Sequence, residues 1–179
     1  MTKQELARYI YQSVLEPEFT TEEIRKYIKE GVEYGCATVC VNPASLDLAH
    51  ELCEGTETRI CEVCDFSFGL SATASKVLQA AEYSKRGDIF ELDIVVNYGW
   101  IRSGKWDEVQ AEIKAVVEVC HLYGTAVKTI LETNSLTLEQ VKQATETAVL
   151  ARTDFVKTST GFFTGGHAWE LPRRLLRLF

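Results

Sequence analysis

Short runs of apolar, mostly β-branched residues alternate along the chain with longer stretches in which apolar positions recur every three or four residues. The first pattern has the period of a strand, the second that of a helix with one buried face. Thr2, with Glu5 three residues on, has the form of a capping box and predicts a helix over 2–10; a short strand over 11–15 follows and Glu16-Pro17 ends it. Thr20 or Thr21 caps the next helix, which places Ile24, Tyr27, Ile28 and Val32 on one face and stops at Gly35. Further strands are predicted at 37–41, 59–66, 91–96, 126–131 and 154–158, and further helices at 45–53, 73–86, 107–123 and 137–150, the last opened by Thr137 with Gln140 in the capping-box place. The stretches Ser67 to Ser71, Asn97-Tyr98-Gly99 and Glu132-Thr133-Asn134 read as loops at strand exits.

Strands separated by helical crossovers are βαβ units, which impose a parallel sheet with helices packed outside it. Either a doubly wound sheet or a barrel satisfies that rule. No G-x-G-x-x-G follows the first clear strand and no G-x-x-x-x-G-K-[ST] occurs, so the nucleotide-binding versions lose support and a barrel-like α/β fold is expected.

Composition adds limits. A chain of 179 residues that is 46% hydrophobic and 25% charged suits one globular domain. Nineteen basic against 26 acidic side chains leave a net charge of −7, which argues against nucleic acid or an anionic membrane as partner. No apolar run is long enough to span a bilayer and the amino terminus is charged, so neither a signal peptide nor a membrane segment is expected, and the cytoplasm is the expected location. Of the six cysteines, Cys36 with Cys40 and Cys61 with Cys64 have the spacing of zinc ligand pairs. Cys40, Cys61 and Cys64 lie within β-branched runs, however, and strand alternation sends Cys61 and Cys64 to opposite faces, so no metal is expected. Disulfides are not expected in a reducing compartment.

Three charges in apolar strands carry the chemistry: Asp93, Lys128 and Lys157. In a barrel closed in sequence order their strands are neighbours, and charge inside such a sheet is costly unless paired. A purely structural account is an ion pair of Asp93 and Lys128 that sets strand register, with Lys157 taking no part. The chemical account starts from Lys157, at a strand end before the hydroxyls of Thr158, Ser159 and Thr160. Burial and a second cation are expected to lower its pKa, and the free amine adds to an aldehyde or ketone as a Schiff base. The iminium is an electron sink, so a carbon–carbon bond one position away can break, and Asp93 is placed to move the proton. That chemistry requires no cofactor.

The segments Asp154-Phe155-Val156-Lys157-Thr158-Ser159-Thr160-Gly161-Phe162, Leu92-Asp93-Ile94-Val95-Val96-Asn97, Val39-Cys40-Val41-Asn42-Pro43 and Lys128-Thr129-Ile130-Leu131-Glu132-Thr133 together resemble the deoxyribose-phosphate aldolase family, in order from the first helix to Gly166. The resemblance implies a TIM (β/α)8-type barrel that splits 2-deoxy-D-ribose 5-phosphate into acetaldehyde and glyceraldehyde 3-phosphate. It carries the Schiff-base lysine onto Lys157, the proton relay onto Asp93 and a supporting cation onto Lys128. It also implies Ser13, Thr158 and Ser159 as substrate contacts and a small phosphorylated sugar as partner.

The departures matter as well. Where the family's first strand reads Asp-His-Thr-x-Leu-Lys-Pro, this chain has Tyr11-Gln12-Ser13-Val14-Leu15-Glu16-Pro17, and Asp65-Phe66-Ser67-Phe68-Gly69 stands for Gly-Phe-Pro-x-Gly. About six βα units are present, and the family's last two, with a further lysine and glycine-rich phosphate loops, have no counterpart. The expected organisation is a partial barrel over 1–166 and a divergent basic, apolar tail over 167–179, from an interrupted reading frame or as a cover for the sheet edge. Little or no turnover is expected of such a chain alone. The alternative is a non-catalytic remnant whose open edge pairs with a second copy or another protein.

Overall fold

The computed structural model describes residues 1–163. Six strands, β1 (Tyr11–Val14), β2 (Thr38–Val41), β3 (Arg59–Cys64), β4 (Ile89–Val95), β5 (Ala126–Ile130) and β6 (Phe155–Lys157), lie side by side in chain order, every neighbouring pair parallel. The helices are α1 (Lys3–Ala7), α2 (Thr21–Tyr34), α3 (Leu46–Cys53), α4 (Thr73–Ser84), α5 (Tyr98–Arg102), α6 (Trp106–His121) and α7 (Leu138–Leu150). Strand order equal to chain order is that of a βα-barrel wall. Among the described residues β1 and β6 are the two sheet edges and do not pair, so the barrel is incomplete.

Alternation along each strand separates two layers. Val14, Val39, Val41 and Ile60 face the helix layer with Ile28, Leu46 and Ala49, while Leu92, Ile94 and Val127 pack on Ile113, Val117 and Ala144. The opposite face carries a smaller cluster, Leu15, Cys40, Cys61 and Val63, against which Phe66 and Phe162 pack. Cys61 and Cys64 thus lie on opposite faces, as alternation requires. Among the described residues no helix is long and apolar enough to cross a membrane.

Capping boxes form at Thr2 with Glu5, Thr20 with Glu23 and Thr137 with Gln140, so Thr20 rather than Thr21 opens α2. The expected loop at Asn97-Tyr98-Gly99 is instead the start of α5, because the Asn97 side chain accepts the Trp100 N–H at 3.2 Å as an N-cap. β3 ends at Cys64 rather than at 66, since Asp65 takes a left-handed φ of 53° and turns the chain out of the sheet. Phe155, expected in a buried strand, is 47% exposed because β6 is an edge. The domain boundary after Gly166 and the tail over 167–179, with both readings of it, lie outside the described residues.

A buried polar knot locks the ends of the strands nearest the site. Lys76 of α4 is fully buried; its ammonium donates to the carbonyls of Gly69 and Val95, each at 2.9 Å, and pairs with Glu112 of α6 at 2.9 Å and Asp65 at 3.4 Å. The same Glu112 oxygen accepts the Asn97 N–H at 3.0 Å. Two helices, the β3–α4 loop and the exit of β4 are joined through one ammonium.

Candidate active site

Alternation in β4 turns Glu91 and Asp93 toward the face away from the helices, and both are buried. β5 sets Lys128 directly across from Asp93, and β6 sets Lys157 across from Ile130, farther along the same face. Asp93 Oδ1 accepts from Lys128 Nζ at 2.9 Å and from the Cys61 thiol at 3.2 Å, while Oδ2 accepts from Lys157 Nζ at 2.7 Å. Glu91 also pairs with Lys128, whose ammonium lies 4.5 Å from the centre of the Tyr11 ring. Lys157 therefore takes part in the cluster, and the account that leaves it apart from an Asp93–Lys128 pair does not describe this site.

Lys157, Asp93 and Lys128 open on a cavity of about 330 Å³ with Tyr11, Ser13 and Cys40 on one side and Phe155 and Val156 on the other. Lys157 keeps 30% of its side chain exposed, against 2% for Asp93 and 8% for Lys128. A molecule entering the cavity meets that amine first.

Burial works to raise the Asp93 carboxyl, but the ammoniums of Lys128 and Lys157 outweigh it and hold the group below the usual carboxylate value. Burial works to lower the Lys157 ammonium, and the Asp93 carboxylate reverses that, so the group stands above an ordinary lysine. Lys128 is driven the same way by Asp93 and Glu91. The expected depression of Lys157 by a second cation is thus overturned. Asp93 lies between the two ammoniums, and Glu91 with Asp93 balances Lys128 with Lys157. The resting amine is charged, with its proton already on a hydrogen bond to the carboxylate that can take it.

Of the six side chains singled out from sequence, Lys157, Asp93, Lys128 and Ser13 meet at the cavity. Thr158 and Ser159 do not line it, because β6 ends at Lys157 and the chain turns away. That turn is held by Glu132, a buried residue at a left-handed φ of 53° just past β5. Its Oε2 accepts both the Thr160 N–H at 3.1 Å and the Thr160 hydroxyl at 2.6 Å. Glu132 and Glu91 escaped the sequence reading. Glu91 had a usable signal, two residues before Asp93 and so on the same strand face; Glu132 had its place in a strand exit and in the segment 128–133 that carries the family resemblance.

Comparisons with known proteins agree with this geometry. The family described as DeoC/LacD family aldolase matches residues 7–171. A deoxyribose-phosphate aldolase of Mannheimia succiniciproducens is 41% identical over 170 residues, 95% of this chain and 75% of that protein. One of Thermococcus kodakarensis is 42% identical over 179 residues, 99% of this chain and 79% of that protein. Among solved structures, the tetrameric deoxyribose phosphate aldolase of Aeropyrum pernix superposes with a TM-score of 0.82 at 28% identity, over 91% of this chain and 68% of that one. Two others are covered to 65% and 72% of their own length.

Proposed function

Because the chain belongs to the DeoC/LacD family of aldolases, we propose that Lys157 forms a Schiff base with the aldehyde carbon of 2-deoxy-D-ribose 5-phosphate and that Asp93 moves the protons. Asp93 first takes the ammonium proton along their shared hydrogen bond, freeing the nitrogen lone pair to attack the carbonyl. Loss of water leaves an iminium. The bond between the second and third carbons then breaks, its electron pair moves toward the iminium nitrogen, and the proton of the third-carbon hydroxyl is removed, so glyceraldehyde 3-phosphate departs. Protonation of the remaining enamine and addition of water release acetaldehyde and restore the amine. Lys128, held by Glu91 and Asp93, keeps the relay carboxylate ionised between turnovers. Iminium chemistry of this kind requires neither metal nor cofactor.

The observation that carries this reading is one partly exposed lysine, its amine 2.7 Å from a buried carboxylate, in the wall of a cavity large enough for a small carbonyl compound. Both lysines of the cavity are already paired, and among the described residues no glycine-rich loop lines it to hold a phosphate. These 179 residues are accordingly expected to trap a carbonyl but to turn over the phosphosugar weakly. Acetaldehyde with borohydride, followed by peptide mass mapping, tests the first part. A reduced adduct on Lys157, lost in Lys157→Ala, is the expected result, and an adduct confined to other lysines would overturn it. Turnover of deoxyribose 5-phosphate near that of a full-length relative would refute the second.

A second reading rests on the sheet edges. Among the described residues β1 and β6 are unpaired on their outer sides, which suits a second copy or another protein chain adding to the sheet without catalysis. No borohydride adduct together with stable oligomers on size exclusion is the outcome that favours it. All six cysteines are free, and we place the chain in the reducing cytoplasm.

A further inference from the structure

We propose that Cys40, Cys61 and Asp93 form a site for one thiophilic divalent cation of the zinc and cadmium class, whose binding shuts the Schiff-base centre. Cys40 on β2 and Cys61 on β3 are direct cross-strand partners, and alternation turns both away from the helices. Their sulfurs and a carboxylate oxygen of Asp93 all lie within 4.8 Å of one another. A tetrahedral ion with metal–sulfur bonds of about 2.3 Å and a metal–oxygen bond of about 2.1 Å separates its ligands by roughly 3.5–3.8 Å, so the three side chains need to close by no more than about 1 Å. The Cys61 thiol already points at Asp93 Oδ1, 3.2 Å away, and the ion would take the place of that proton.

All three ligands are at least nine-tenths buried, yet Cys40 and Asp93 reach the wall of the cavity, which supplies a path in and an open fourth position. Two thiolates, one carboxylate and a free position make a donor set that zinc accepts. The neighbouring ammoniums do not forbid it, because two neutral thiols exchange two protons for one divalent cation and the net charge of the cluster is unchanged. Lys128 Nζ, 3.6 Å from the Cys61 sulfur, then donates to a thiolate, and Asp93 Oδ2 remains with Lys157. With the ion on Asp93, the carboxylate cannot take the Lys157 proton, and the amine stays charged. The shut-off rests on the proposed Schiff-base reading; the binding of the cation does not.

Cadmium chloride titrated into the reduced chain reads the binding directly through the thiolate-to-cadmium charge-transfer absorption in the ultraviolet. One equivalent per chain is expected, with the band abolished in the Cys40→Ser/Cys61→Ser double variant and retained in Cys53→Ser/Cys120→Ser. A band that survives the first double variant, or saturation without these two thiolates, would overturn the site. Should the double variant lose its circular dichroism, the single variants decide: each must lose about half of the band, and an unchanged band in either counts against the proposal. Zinc chloride should lower acetaldehyde–borohydride trapping on Lys157 at least tenfold, with recovery on adding a chelator. Trapping undiminished at saturating zinc would overturn the shut-off. Absence of trapping in the metal-free chain would refute the Schiff-base reading while the cadmium band still judged the site.

Discussion

Asp93 accepts from two lysines at once, so its charge sets the protonation of both. With Asp93→Asn, burial acts on Lys157 with no carboxylate against it, and the pH midpoint of borohydride trapping should move toward acid while the maximal rate falls at least tenfold, consistent with loss of a proton relay. A midpoint unmoved from the parent would show that Asp93 does not hold the Lys157 proton. Glu62 behaves in the opposite sense to Asp93. It is fully buried on β3, one oxygen accepts the Val63 N–H at 2.9 Å, the other has no partner, and burial pushes its carboxyl up to about 9. A carboxyl raised on folding contributes stability in full below its unfolded value, near 4.5, and that contribution is lost as pH climbs through about 9. Urea unfolding of the parent should therefore show stability falling between pH 5 and 8 by on the order of 2–4 kcal/mol, and Glu62→Gln should flatten the slope. Glu132→Gln keeps the size of the side chain but weakens its two bonds to Thr160, with an expected cost of about 1–3 kcal/mol and faster hydrogen exchange at the Thr160 amide.

At the scale of elements, the Lys76 knot joins α4 and α6 to the exit of β4, two residues beyond Asp93. Lys76→Met strands the Glu112 carboxylate in a dry interior and should cost about 3–5 kcal/mol, whereas Lys76→Met/Glu112→Leu should recover much of it. Equal losses in the two variants would mean that the carboxylate is not the source of the cost. These elements were largely legible before folding, because capping boxes and alternating strands are local codes. Thr2 and Thr137 cap helices where their spacing to Glu5 and Gln140 says they should, and of the two threonines open as the cap of α2 it is Thr20, paired with Glu23, that takes the place. Misreadings fell where a single backbone or side-chain bond decides the outcome, as at Asn97, which starts a helix, and Asp65, whose left-handed turn ends β3 early. Lys76 sat unnoticed on its helix, since nothing in a 3.6-residue pattern distinguishes a buried lysine from one that reaches solvent.

For the whole molecule the open sheet is the dominant fact. A parallel sheet ending in β1 and β6 among the described residues offers two rows of unpaired backbone groups, with Phe155 exposed beside one of them. Sedimentation of the 179-residue chain should show association that grows with concentration and weakens in Phe155→Lys, whose added charge disfavours edge pairing. A monomer at every concentration would sink that expectation. The parallel pairing of the strands and, for a barrel closed in sequence order, the adjacency of those that carry Asp93, Lys128 and Lys157 followed from sequence, because helical crossovers leave few other arrangements. The part taken by Lys157 stayed open between two accounts until the fold set it against Asp93. Only the folded chain decided the charge state of Lys157, the meeting of Cys40 with Cys61, and the hold of Glu132 on Thr160. Each of these depends on distances of a few ångströms between strands far apart in the chain, and those distances exist only once the sheet has set its register.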